Sequence, residues 1–357
     1  MPQHHRQSHR NHPTPQVRRV LVRSLDDISL EQVPAPVPGD DELLVRTTVV
    51  GVCGSDTHAA AGHHPFIDLP YRPGHEAVGV VAAAGSGAEE DFTPCDRVVI
   101  EPNLYCGRCP QCLSGRYNIC QELKVFGCQT PGAMTDLFTI PADRVHRVPD
   151  GMTDIEAALI EPLATPVHAV AKAGDLTGRS VAVLGAGPIG LLTLLAARHA
   201  GAVRIAVTDL LDGKRARAMR LGADAALDAD APDLVEQVHA ALGGPVDVVF
   251  DCVSREQSMA QATALVTKGG HIVVVGVGAP GTTPIRLDLV QDREIRLEGT
   301  LMYTGEDYRT AMSLIASGAV DTTEIVTATY PLPDAAKAFA ASVDPEQVKV
   351  LVTVDGP

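Results

Sequence analysis

Cys106, Cys109, Cys112 and Cys120 fall in a C-x2-C-x2-C-x7-C spacing that short loops can close around a single ion. Four thiolates suit the tetrahedral, all-sulfur shell of a structural zinc, which leaves no open position for chemistry. Gly107, Pro110 and Gly115 supply residues fit for the tight turns of such a lobe. An iron–sulfur cluster is the chemical rival, because thiolates ligate both, and disulfides are a third reading that a chain without an export signal disfavours. A second constellation lies upstream. Cys53, in Gly51-Val52-Cys53-Gly54-Ser55-Asp56-Thr57-His58, is followed by Gly74-His75-Glu76. One Cys, one His and one or two carboxylates form an open zinc site, in which three protein ligands leave a position for water or an alcohol whose pKa the metal lowers.

These side chains need elements to position them. The apolar run 43–50 reads as a strand ending at Cys53, and the alternating Val78 and Val80 around Gly79 read as another beginning after Glu76. Further on, the continuous apolar strand 181–184 runs into Gly185-Ala186-Gly187-Pro188-Ile189-Gly190, which opens a helix reaching about His199. This is G-x-G-x-x-G between a strand and a helix. The first glycine permits the turn, the second admits a pyrophosphate to the backbone, and the third lets helix and strand pack closely. A second strand, 203–208, ends in Asp209, about twenty residues beyond the last glycine, where a carboxylate binds adenosine ribose hydroxyls and opposes a 2′-phosphate. NAD is therefore expected over NADP, with the charges of Lys214 and Arg215 opposing that inference and Lys214 itself a candidate coenzyme contact. Apolar runs at 248–250 and 271–277 continue the sheet. Their ends, Asp251-Cys252 and Val275-Gly276-Val277, are expected to line the ligand crevice, with Cys252 a packing residue.

The 357 residues are about right for two domains at roughly 150 residues each. Hydrophobic residues make up 45% and charged residues 20%, so the chain can bury a core. Twenty-nine basic against 44 acidic residues give a formal charge of −15, which repels phosphate backbones and excludes nucleic acid as an expected partner. No run is long enough to span a membrane and no secretory apolar segment opens the chain, so a cytoplasmic protein without a membrane partner is expected. Residues 1–17, with His4, His5, His9 and His12 and no acid, read as a disordered tail.

Together these motifs resemble the zinc-dependent medium-chain dehydrogenases over nearly the whole chain. Gly74-His75-Glu76-x-x-Gly79-x5-Gly85 resembles that family's zinc signature, the four-cysteine segment is similar to its structural zinc loop, and Gly185 to Gly190 corresponds to its coenzyme turn. The resemblance implies an α/β fold in which a doubly wound, parallel-sheet Rossmann coenzyme domain is inserted into a β-rich, GroES-like catalytic domain. It divides the chain into a catalytic domain at 18–160 with the zinc lobe at about 101–124, a coenzyme domain at 161–298 and a return to the catalytic domain at 299–357. It implies NAD and two zinc ions per chain, a small-molecule alcohol as substrate, and a homotetramer or homodimer joined through the Rossmann sheets. Cys53 and His75 match the family's catalytic zinc ligands, and Glu76 matches a carboxylate that is a ligand or near neighbour. Glu161, in Ile160-Glu161-Pro162-Leu163, resembles the position where sorbitol, butanediol and threonine dehydrogenases place a glutamate at the metal and the horse-liver enzyme has Cys. Ser55 and His58 correspond to the hydroxyl and imidazole that carry the alcohol proton.

The implied function is reversible oxidation of a secondary alcohol in a polyol, diol or sugar-derived substrate. A dehydrogenase of an amino-alcohol, a cyclitol or a sugar intermediate in specialised metabolism and an inactive binding protein of the same fold are the alternatives; the last would lack a ligand, and all four candidates are present. Two positions depart from the pattern. Met302 stands where animal sorbitol dehydrogenases usually carry an Arg that holds the polyol, and Cys95 stands where the family usually has Gly at a turn.

Overall fold

Apolar runs with no polar face to show build the central sheet. In the computed structural model, which describes residues 15–355, its six strands are Ser180–Leu184, Arg204–Asp209, Ala225–Asp228, Val246–Asp251, Val266–Val274 and Arg296–Gly299. All pair in parallel, and numbered in chain order they lie as 3-2-1-4-5-6. The order reverses between the first and fourth strands, which opens a crevice at their carboxyl ends. Every residue of Ser180–Leu184 is buried, as expected of a central parallel strand covered by helices on both faces. This is the Rossmann arrangement of the coenzyme domain.

A second, seven-stranded sheet is built around Glu42–Val52, whose first eight residues alternate half-buried and buried positions. On one side it pairs antiparallel with Ala77–Ala84, which leads through Arg97–Ile100 to Val145–Arg147. On the other it pairs antiparallel with Lys349–Thr353, itself joined to Val326–Pro331, while Leu137–Pro141 pairs with its first half. The chain thus leaves this β-rich, GroES-like domain, forms the coenzyme domain and returns. Helix Ile160–Ala173 makes the outward passage and packs against helix Gly305–Ala316.

Three local differences from the sequence reading have physical causes. Gln16 and Val17 belong to a strand, Gln16–Ser24, paired with Asp27–Pro34, so the tail does not extend to residue 17; its remainder lies at or before the first described residues. The strand expected to run to Val277 ends at Val274, because the amides of Val275 and Gly276 both donate to the carbonyl of Asp251, at 2.9 and 3.0 Å, and turn the chain out of the ladder. The two edge strands, Ala225–Asp228 and Arg296–Gly299, are short and half-exposed, so they lack the apolar run that marks the central ones. Among the described residues no helix is long and apolar enough to cross a membrane.

Candidate active site

Antiparallel pairing sets Val50 opposite Ala77, and the amide of Gly51 donates to the carbonyl of Glu76 at 2.8 Å. The end of one strand and the start of its neighbour therefore meet, bringing Cys53 to His75 and Glu76. Cys53 caps helix Gly54–Ala60, and its own amide donates to Oδ2 of Asp56 at 3.0 Å. The other oxygen of Asp56 accepts from the Tyr71 hydroxyl at 3.2 Å and lies 3.8 Å from Nδ1 of His75. One fully buried carboxylate thus fixes the backbone of Cys53 and faces the ring of His75, the outer support that metal-binding imidazoles use.

The donor atoms of Cys53, His75 and Glu76 all lie within 4.8 Å of one another, a set that fits one ion with a mixed sulfur, nitrogen and oxygen shell. Burial pushes the His75 imidazole down, but the Cys128 thiol, 3.8 Å from Nδ1, together with Asp56 and Cys53 outweighs it and holds the ring well above its usual pKa. Glu76 is fully buried, and both its oxygens accept from Nζ of Lys349, at 2.7 and 2.8 Å. Glu161, in the first turn of Ile160–Ala173, accepts at Oε1 from the Tyr303 hydroxyl at 2.5 Å. Burial, then repulsion from Glu76, pushes its carboxyl up to about 7. Glu161 is thus an electrostatic neighbour of the trio and stands outside its closest grouping. Ser55 lies half-buried near the start of the helix that Cys53 caps, and His58 is exposed on the same helix.

At the crevice, Gly187 caps helix Pro188–His199, with Pro188 at its first position and Ile189 next. A side chain on Gly190 would lie 1.8 Å from the carbonyl oxygen of Gly185, whereas one on Gly187 would meet nothing within 4 Å. Close packing thus demands the last glycine, while the middle one faces open space where a pyrophosphate can approach. Asp209 Oδ2 accepts from the amide of Ala186 at 2.8 Å and Oδ1 from that of Leu211 at 3.0 Å, which draws the second strand's carboxylate to the glycine turn. Lys214 is half-buried on helix Asp212–Arg220, Val275 is buried, Gly276 is half-buried and Val277 is exposed beyond the strand end. Cys252 is half-buried, its Sγ 3.8 Å from the Thr193 hydroxyl.

In the cysteine lobe, Sγ of Cys112 lies 4.0 Å from that of Cys106 and 3.4 Å from that of Cys109, and Cys109 is 3.9 Å from Cys120. A tetrahedron with metal–sulfur bonds of about 2.3 Å has edges of about 3.8 Å, so these spacings fit a single ion. They are too long for a disulfide, and a cluster of several irons would hold its thiolates farther apart. Backbone amides of Gln121 and Cys112 bring the Cys109 thiol down to about 6, the charged form a metal needs.

Two family descriptions match this chain: an alcohol dehydrogenase GroES-like domain over residues 39–150 and a zinc-binding dehydrogenase over residues 188–317. Sorbitol dehydrogenase of Bacillus subtilis (strain 168) is 33% identical over 352 residues, covering 96% of this chain and 98% of that protein. The chain belongs to the zinc-dependent medium-chain dehydrogenases, in their polyol branch. Sorbitol dehydrogenase of Ovis aries is 35% identical, over 94% of this dehydrogenase and 96% of that one. Among solved structures, a zinc-binding dehydrogenase from Sinorhizobium meliloti 1021 bound to NADP is similar with a TM-score of 0.89 and 34% identity, covering 95% and 99% of the two chains. The 2R,3R-butanediol dehydrogenase of Bacillus subtilis is similar with a TM-score of 0.87 and 27% identity, over 95% and 100%. As a member of this family the dehydrogenase is an oxidoreductase that uses zinc and a nicotinamide coenzyme.

Several residues at the site escaped the sequence reading. Asp56 was visible as a helix-capping acid three positions after Cys53, but its second duty toward His75 depends on the fold. Lys349 left one signal, a lone cation inside the apolar strand Lys349–Thr353. Tyr71, Cys128 and Tyr303 left none. The two departures noted in the sequence both occupy left-handed backbone, Cys95 with φ 79° and Met302 with φ 49°. Met302 packs half-buried against the core, where a guanidinium would have to be accommodated.

Proposed function

We propose that this dehydrogenase oxidises a secondary alcohol of the polyol or diol class to a ketone, reversibly, with NAD as hydride acceptor and two zinc ions per chain. The observation that carries the reading is the grouping of Cys53, His75 and Glu76, with Glu161 beside them, in a chain that also has the glycine turn and Asp209. The names of its relatives, sorbitol and butanediol dehydrogenases, support the substrate class. Zinc held in such a site lowers the pKa of a substrate alcohol, and a nicotinamide supplies the hydride acceptor.

Around that chemistry the protein's own residues have distinct tasks. Cys53 and His75 hold the metal, and either Glu76 or Glu161 completes its shell. Asp56 keeps His75 oriented. Ser55 takes up the alcohol proton and passes it to His58, whose exposure lets the imidazole release it to water. The glycine turn receives the pyrophosphate, and Asp209 takes the adenosine ribose. Arg215 is engaged by Asp212, by Asp228 at 3.6 Å and by the carbonyl of Asp209 at 2.7 Å, so it is committed to acidic partners and does not offset the preference for NAD. Cys106, Cys109, Cys112 and Cys120 hold the second, structural zinc.

The chain acts as a homodimer or homotetramer in the cytoplasm, without nucleic-acid or membrane partners. The edge strand Arg296–Gly299, with its half-exposed Leu297, supports pairing between coenzyme sheets. Eight free cysteines, four of them grouped for a metal, suit a reducing compartment.

The test is a screen of zinc-replete protein against diols, polyols, cyclitols, amino-alcohols and simple alcohols, with NAD and NADP, reading the absorbance of reduced coenzyme. His75→Ala should abolish turnover while NAD binding persists. A protein that reduces neither coenzyme with any alcohol, or a fully active His75→Ala variant, would overturn the reading.

A further inference from the structure

Cys128 touches His75, yet the chemistry above gives it no task. We infer that Cys128 is a positioning residue whose sulfur accepts the Nδ1–H of His75, fixing the tautomer of the ring and leaving Nε2 to the metal. The inference rests on the reading of Cys53, His75 and Glu76 as a metal site and deepens it.

The backbone is built for this contact. Residues 132–134 run beside 72–74: the amide of Gly132 donates to the carbonyl of Arg72 at 3.0 Å, that of Ala133 to Gly74 at 2.9 Å and that of Met134 to Pro73 at 3.1 Å. The turn just before them is closed by the amide of Cys128 on the carbonyl of Val125 at 3.0 Å and by that of Gly127 on Thr130 at 3.1 Å. It is thereby pressed onto Gly74 and His75. A side chain on Gly127 would lie 2.7 Å from the carbonyl carbon of Gly74 and 2.9 Å from the amide nitrogen of His75. Glycine, here with φ 81°, is what lets the turn come so near. Cys128 follows it directly, and its Sγ stands 3.8 Å from Nδ1 of His75.

The carboxylate of Asp56 faces the same nitrogen, and its Oδ1 is also 3.8 Å away. That is beyond hydrogen-bond reach for an oxygen, whereas the larger sulfur atom accepts at this separation. Asp56 thus supplies charge and Cys128 supplies the hydrogen bond. A lone pair on Nδ1 would point toward the carboxylate, so Nδ1 carries the hydrogen and Nε2 keeps the lone pair that an ion requires. Loss of such an outer partner lowers metal affinity by roughly 10- to 100-fold, and a weak sulfur acceptor belongs at the lower end.

The test counts zinc. Zinc-loaded parent, Cys128→Ala and Cys128→Ser are dialysed against rising concentrations of a competing chelator, and zinc per chain is measured by elemental analysis. His75→Ala marks the level held by the cysteine lobe alone. Cys128→Ala should give up the ion of the Cys53–His75 site at about tenfold lower chelator, with the lobe's ion unmoved. Cys128→Ser keeps an acceptor and should restore much of the difference. NMR of isotope-labelled histidine should show the Nδ1–H proton of His75 in the parent and the serine variant, and lose it to exchange in the alanine variant. Cys128 is half-buried in the wall of a cavity of about 280 Å³, so its truncation should leave the fold intact. Should it not, Cys128→Val fills the volume without an acceptor and serves in its place. Equal zinc retention in the parent and Cys128→Ala, or equal loss in the alanine and serine variants, overturns the inference and leaves the function standing. A parent protein that holds no zinc beyond the lobe's ion overturns the underlying metal reading as well.

Discussion

Nζ of Lys349 lies 2.7 Å from Oε1 and 2.8 Å from Oε2 of Glu76, a contact between residues 273 positions apart. Both groups are almost wholly removed from water. Burial alone would push the ammonium down, and Glu76, Cys53 and Glu161 outweigh it. The last strand of the protein thereby supplies the countercharge for an acid at its first metal-site loop. Removing one partner of such a pair leaves an uncompensated buried charge, at a cost of about 3–5 kcal/mol. Lys349→Met should lower stability by that order in denaturant titrations. It should also lose zinc from the Cys53–His75 site while the cysteine lobe keeps its ion, which elemental analysis can count.

Loss of the lobe's ion should reach the active site. Tyr117 and Asn118 lie three and two positions before Cys120: the Tyr117 hydroxyl donates to Glu101 at 2.6 Å, and Asn118 donates to the carbonyl of Leu301 at 2.9 Å, two residues before Tyr303. Cys109→Ser should release about one zinc per chain and lower stability, because metal binding in small lobes is coupled to folding. Unchanged zinc content would rule out the lobe as a metal site.

Coenzyme choice turns on Asp209. Asp209→Ala removes the acceptor for the ribose hydroxyls and the repulsion of a 2′-phosphate, so kcat/KM with NAD should fall by about tenfold or more while that with NADP falls less or rises. Parallel kinetics with the two coenzymes check this. A parent protein favouring NADP would shift the emphasis to Lys214 and Arg215.

Glu161 predicts a pH dependence in protein stripped of its metals. Its carboxyl is raised to about 7 from 4.5, so its folded form binds the proton more tightly than the unfolded chain. That contribution is fully present below pH 4.5 and is lost as pH rises through about 7, up to about 3 kcal/mol for a shift of this size. Glu161→Gln should therefore gain melting temperature relative to the parent at pH 8 and little or none at pH 4.5. Equal differences at the two pH values would exclude the effect.

Cys95 carries a side chain where φ is 79°, on an exposed turn. Left-handed backbone costs a non-glycine residue about 1–2 kcal/mol, partly offset because glycine loses more freedom on folding. Cys95→Gly should raise stability by roughly 0.5–1 kcal/mol without altering kinetics, as measured by thermal melting and steady-state rates.

What the sequence disclosed follows from the range of each interaction. The glycine turn, the paired His75 and Glu76, and the four cysteines are each written within a few dozen residues, and local chemistry suffices to read them. The central strands were legible because burial on both faces leaves continuous apolar runs within them, such as 181–184 and 248–250. Ala225–Asp228 and Arg296–Gly299 have one edge unpaired and much of their surface exposed, so their composition does not distinguish them from loops. Lys349 and Tyr303 reach their carboxylates across 273 and 142 residues, and no spacing rule encodes such a meeting. Asp56 was readable as a cap, and its approach to His75 was hidden until the strand register brought the two together.

The late arrival of Lys349–Thr353 also imposes an order on biosynthesis. A ribosome releases the strand Glu42–Val52 hundreds of residues before its antiparallel neighbour exists, so through most of synthesis that flank stays open and Glu76 waits without its ammonium. The coenzyme sheet needs nothing beyond Gly299 and can close first. Nascent chains stalled before residue 349 should therefore hold a formed nucleotide fold beside an unfinished metal cradle. Surveillance by chaperones would fall on the half of the protein that began first and finishes last.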